Sequence, residues 1–171
     1  MLSRLVSAAG LLAAMTVAAI AQNNGDLVAT FNAWEVHVIE SAQGRVCFAA
    51  SRPTSTNIPV GPRRSEIAFI MSNRPSANVQ NEAYAQMGYP LAPDSQVMIT
   101  IDGTETFTMF VEDEGAWLPS EVEDGLLATA MRGGREMVVR GRSARGNDTT
   151  DTYSLIGVSA ALDRAATECA R

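Results

Sequence analysis

A hydrophobic leader followed by only two cysteines, Cys47 and Cys169, constrains this chain more than any other feature. Arg4 precedes an apolar run from Leu5 to Ile20, and Ala19-Ile20-Ala21 stands just before Gln22. A short basic start, a small-residue-rich apolar stretch and small residues at both recognition positions form the layout of a secretory signal peptide. The spacing predicts a signal peptide over 1–21 and a mature chain from Gln22. The run holds about 16 apolar residues, short of the ~20 that a membrane-spanning helix needs, and no second candidate occurs downstream. An exported product without a transmembrane anchor is expected. Export in turn gives the cysteines their meaning, because outside the cytoplasm a pair of thiols is normally oxidised. A Cys47–Cys169 disulfide is expected, closing a loop long enough to stabilise the fold by roughly 4 to 5 kcal/mol in the chain-entropy model. A redox-active pair would want CxxC spacing and a neighbouring base, and the sequence supplies neither. A zinc site fares no better with one histidine in the chain.

Charge excludes further classes. The chain has 19 Asp plus Glu against 13 basic residues, all arginine, for a formal charge of −6, and removal of Arg4 takes this to about −7. Such a surface repels nucleic acid and anionic lipid. The absence of lysine rules out Schiff-base chemistry and the P-loop lysine. The mature chain suits one domain, read as a lead-in over 22–32 and a body over 33–171.

Short strands dominate the pattern. Trp34, Val36 and Val38 alternate with Glu35 and His37, while Val46 to Ala50 and Ile67 to Met71 are more uniformly apolar. Val97 to Ile101, Asp102-Gly103 and Thr104 to Val111 form the clearest hairpin, since Asp-Gly accepts the positive φ values of a tight two-residue turn. Further strands are expected over Glu136 to Arg142 and Thr149 to Ile156. Ser120 followed by Glu123 has capping-box spacing. Val122, Leu126, Leu127, Ala130 and Met131 come next at helical intervals, and Gly133-Gly134 provides the stop, so a helix of about ten residues is expected. Ser159 can cap a second helix whose Leu162, Ala165, Ala166 and Cys169 share one face, tied by the disulfide to the strand holding Cys47. Arg52 to Arg64 and Arg74 to Pro93, each with three prolines, read as loops. These elements suggest a mainly β, two-sheet sandwich with a short crossover helix.

The C-terminal third adds a resemblance. Ser143-Ala144-Arg145-Gly146, Thr150-Asp151-Thr152-Tyr153-Ser154-Leu155 and Gly157-Val158-Ser159-Ala160-Ala161-Leu162 resemble the closing signature of the invasion-associated locus B (IalB) family of alphaproteobacteria. Trp34, Val46 to Ser51 with Pro53, Arg63-Arg64, Arg74-Pro75, Gly88-Tyr89-Pro90, Ile101-Asp102-Gly103, Ala116-Trp117 and Ala130-Met131-Arg132 fit it in order, so the resemblance spans essentially the whole domain. It implies a secreted protein with an immunoglobulin-like β-sandwich and no enzyme activity. It also implies, for some pathogens, a link to entry into host red cells. Some branches have an extra cysteine pair where this chain has Glu112-Asp113-Glu114-Gly115-Ala116, so no role resting on that bridge carries over.

Several residues invite a chemical reading. Glu112, Asp113 and Glu114, with Glu121, Glu123 and Asp124, could hold calcium or supply a glycosidase-like acid pair. No calcium-loop spacing is present, and a solvated hairpin end plus acids in the first turn of a helix explain them more simply. Arg132, Arg135, Arg140, Arg142 and Arg145 form a basic stretch. Arg140 and Arg142 project from one strand face and could grip a carboxylate or phosphate, with cross-strand pairing to acids as the plainer alternative. Trp117 beside the acidic turn is either an exposed anchor or a buried aromatic. His37 reads as a solvated strand residue. Ser154 and Ser159 lack a histidine close in sequence and a nucleophile-elbow motif. The expected function is an exported, non-enzymatic interaction module, periplasmic or else outer-surface or secreted, without metal or cofactor, that presents Arg140, Arg142, Arg145 and Trp117 to a protein or envelope component. The alternative is a carboxylate-dependent envelope hydrolase using Glu112, Asp113 or Glu114.

Overall fold

Apolar alternation along the strands builds one face of an antiparallel sheet that then closes over itself. The computed structural model describes residues 25–171, so the signal peptide expected over 1–21 lies outside the described residues. The strands are β1 (Asp26–Phe31), β2 (Trp34–Ser41), β3 (Gly44–Ser51), β4 (Ser55–Thr56), β5 (Ala68–Arg74), β6 (Val79–Gln86), β7 (Gln96–Ile101), β8 (Glu105–Glu112), β9 (Gly115–Trp117), β10 (Glu136–Arg142) and β11 (Asp148–Ser154). Helix α1 (Glu121–Gly133) joins β9 to β10, and α2 (Val158–Cys169) comes after β11. The ladder runs β1-β2-β3-β5-β6-β9-β8-β7-β10-β11-β4. Its two halves are continuous only through the three-residue β9, which pairs with β6 on one side and β8 on the other.

The halves face one another as sandwich-like layers. Trp34, Val36, Ala49, Phe69, Met71, Ala83 and Ala85 from one half share a core with Val97, Ile99, Met109, Met137, Val139 and Tyr153 from the other. Phe69 and Tyr153 meet edge to face across the gap at 6.0 Å, and the Trp34 indole N–H donates to the Ser154 carbonyl at 2.9 Å. Both helices add to the same core, α1 through Leu127, Ala128 and Met131 and α2 through Val158, Ala161, Leu162 and Ala165. The Cys47–Cys169 disulfide forms as expected, with Cα atoms 5.6 Å apart, and clamps α2 to β3.

Local chemistry accounts for the boundaries. Asp102 and Gly103 have φ of 47° and 72°, so the β7–β8 hairpin uses the tight turn its sequence favours. Ser120 caps α1, its Oγ accepting from the Glu123 N–H at 3.3 Å, and the helix runs 13 residues rather than about ten. Its buried face is Asp124, Leu127, Ala128 and Met131, which turns the expected stripe so that Val122 and Leu126 face solvent. The start of α2 corrects the sequence reading: Gly157, at φ 95°, is the cap, and the Ser159 hydroxyl instead donates to the Arg132 carbonyl. Ala166, expected on the packed face, is exposed. The two stretches read as loops contain β4 and β6, and β1 hydrogen-bonds to β2 within the stretch read as lead-in.

Candidate functional site

The outer face of the sheet gathers aromatic side chains that alternation sends away from the core. Strand register places Ile70 beside Tyr84, Tyr84 beside Trp117 and Trp117 beside Phe110. Ring centroids are 4.9 Å apart for Tyr84–Trp117 and 6.1 Å for Phe110–Trp117. A Cβ on Gly115 would lie 2.4 Å from Tyr84 Cε2 and 2.7 Å from Trp117 Cη2, so glycine there lets the two rings lie over the strand. Phe110 is 48% and Met98 45% exposed, and both helices pack on the opposite side. Trp117 is therefore half-buried at the middle of an open aromatic row.

The arginines divide between two places. Arg140 lies on this outer face, exposed between Met98 and Thr150, with no ion-pair partner among the described residues. Arg142 faces Asp148 across the β10–β11 hairpin with 3.8 Å between charged atoms, the plainer cross-strand pairing. Arg145 sits in the hairpin turn beyond both.

That turn borders a cleft of about 310 Å³ lined in part by Arg63, Arg64, Tyr89, Ser143 and Arg145. Arg64 is 2% exposed and rigidly held. Its Nε donates to the Met87 carbonyl at 2.8 Å, and Nη1 donates to Thr56 Oγ1, the Ile58 carbonyl and Asp151 Oδ1 at 2.9 to 3.0 Å. Nη2 donates to Asp151 Oδ2 at 2.5 Å, completing a bidentate ion pair buried on both sides. The guanidinium also lies 5.1 Å from the centre of the Tyr89 ring, whose hydroxyl bonds Thr149 and is held above its ordinary pKa chiefly by burial. Sequence reading missed Arg64 and Asp151 as a pair. The signal that existed was the family resemblance itself, since Arg63-Arg64, Gly88-Tyr89-Pro90, Ser143-Ala144-Arg145-Gly146 and Thr150-Asp151 all converge here.

The acids do not converge. Glu112, Asp113 and Glu114 are exposed at the β8–β9 turn. What that turn commits is backbone, the carbonyls of Asp113 and Glu114 accepting from Leu91 and Met87 N–H at 2.8 and 2.9 Å. Asp124 is separated from them, buried on α1. His37 lies on the outer face as expected but is mostly covered rather than solvated, stacked on Phe48 at 5.2 Å and 3.2 Å from Glu35, with its side chain 15% exposed. Among the described residues no group of three or more His, Cys, Asp or Glu is placed to hold a metal ion.

These features define a disulfide-clamped, mainly β domain with sandwich-like layers and two capping helices. A family model described as invasion associated locus B (IalB) protein matches residues 34–166, and the chain belongs to that family. The crystal structure of invasion associated protein b from Bartonella henselae has the same fold, with a TM-score of 0.59 at 17% identity over 85% of this chain and 100% of that one. No curated protein matches the sequence.

Proposed function

We propose that the chain is an exported, non-enzymatic interaction module of the bacterial cell envelope that holds a protein or envelope component on its open sheet face. The observation that carries this reading is the Tyr84–Trp117–Phe110 row, left uncovered beside Met98 and beside Arg140, which has no ion-pair partner among the described residues. Half-exposed aromatics next to an arginine are the residue types that anchor protein interfaces. A periplasmic location is supported by the leader and by the bonded cysteines, which an oxidising compartment maintains. No helix among the described residues is long and apolar enough to cross a membrane. A part in host-cell invasion is supported by the family's name alone. The interaction reading is preferred to the hydrolase because Glu112, Asp113 and Glu114 are spread along an exposed turn rather than set across a cleft.

In-cell photocrosslinking tests the proposal. A photoreactive residue at Thr108, beside Met98 on the outer face, should yield a discrete adduct, and one at Thr129 on α1 should not. Phe110→Ser with Met98→Ser should abolish the Thr108 adduct while the melting temperature stays within a few degrees. Adducts of equal yield at both positions, or one at Thr108 that survives the double substitution, would overturn it.

A further inference from the structure

We propose that the cleft beside the β10–β11 turn binds an organic carboxylate carried on a small apolar body, as at the free C-terminus of a peptide. The chain as a whole is acidic at −6, yet three arginines line this cleft and no Asp or Glu does. Asp151, beneath the floor, is spent on Arg64. Arg63 and Arg145 are exposed and have no ion-pair partner among the described residues, so two positive charges at the cleft mouth are left for a ligand.

Ser143 is 7% exposed, its Oγ accepts from the Asn147 N–H at 3.0 Å, and its own proton has no acceptor among the described residues. Arg64 itself is fully enclosed, its charge matched by Asp151, so it shapes the floor and the two exposed arginines are the ones within a ligand's reach. A nearly buried hydroxyl that borders a cleft and lacks an acceptor favours an oxyanion there. Guanidinium forks at Arg63 and Arg145 match the planar geometry of a carboxylate.

The walls select among anions. Ile58, Pro90, Ala144 and the Tyr89 ring line the same space, and about 310 Å³ is more than a bare oxyanion fills. The occupant therefore carries an apolar group next to its charge. This site is separate from the sheet face around Trp117, so the two proposals stand or fall independently.

Calorimetric titration of the disulfide-intact protein decides the matter, with N-acetyl-Ala-Leu, its C-terminal amide, hexanoate and inorganic phosphate as probes. The dipeptide acid should bind, and its amide should bind at least about tenfold more weakly. Arg63→Gln and Arg145→Gln should each weaken the acid by about tenfold with the melting temperature unchanged, because both side chains are exposed. Hexanoate binding as well as the dipeptide would support the carboxylate site and assign it to free organic acids rather than peptide ends. Phosphate binding as tightly as the dipeptide would overturn the carboxylate assignment. No binding of either acid at millimolar concentration, or binding indifferent to both substitutions, would overturn the site.

Discussion

Asp124 holds a core position that an apolar residue would ordinarily fill. It is 5% exposed, and its Oδ1 accepts from the Ala83 N–H at 2.9 Å, one residue before β6 begins to pair with β9. The helix thus supplies the acceptor that a neighbouring strand would have given. Burial raises its pKa from 3.8 to about 6 against the pull of that hydrogen bond, with Glu82, Glu121 and Glu123 adding to the rise. Between pH 4 and 6 the folded chain keeps a proton that the unfolded chain has released, so this group's contribution to stability falls as pH rises through that window. Asp124→Asn keeps an acceptor and removes the charge. Urea denaturation should show a gain of about 1 kcal/mol at pH 7.5, discounted for residual hydration from the ~3 kcal/mol of a full shift, and no gain at pH 4. An equal gain at both pH values would show that charge burial is not the cause. Asp124→Ala at pH 4 should cost about 1–3 kcal/mol through the orphaned Ala83 amide. The sequence placed Asp124 among helix-start acids correctly. It could not reveal that the amide it serves lies 41 residues away.

Elements were readable where their signal was local. The Asp102-Gly103 turn and the Ser120 cap are written in adjacent residues, and both form. Strand β6 was not readable, because its inward positions are Ala83 and Ala85, small residues that imitate loop composition and become core only once β5 pairs alongside and α1 packs over β6. Three-residue β9 is too short to show any period. The cleft escaped for a related reason: its walls come from residues 58–64, 89–90 and 143–149, and the run of arginines invited grouping Arg145 with Arg140 and Arg142. The junction between elements carries its own test. A Cβ on Gly157, at φ 95°, would fall 2.3 Å from the Phe31 carbonyl oxygen, so Gly157→Ala strains both the backbone and the β1–α2 contact. A loss of about 2 kcal/mol or more is expected by thermal denaturation, against little change for Gly133→Ala, where nothing lies within 4 Å. A neutral Gly157→Ala would show that α2 does not depend on that junction.

At the scale of the molecule, one covalent link spans 122 residues and joins the C-terminal end of α2 to β3. Replacing Cys47 and Cys169 by Ala should lower stability by roughly 4 to 5 kcal/mol, measured by guanidinium denaturation, with the double variant behaving like the reduced wild type. A loss below about 1 kcal/mol would mean that α2 docks fully on packing alone. The spacing of those two cysteines also sets an order of events. A chain that emerges from its N-terminus can pair β2 with β3, β7 with β8 and β10 with β11 as each hairpin appears, but Cys47 must wait until 122 further positions have been made. With two cysteines in the whole sequence there is no wrong partner to take in the meantime. The fold stays unfastened until α2 arrives, a clasp that shuts late and in one way.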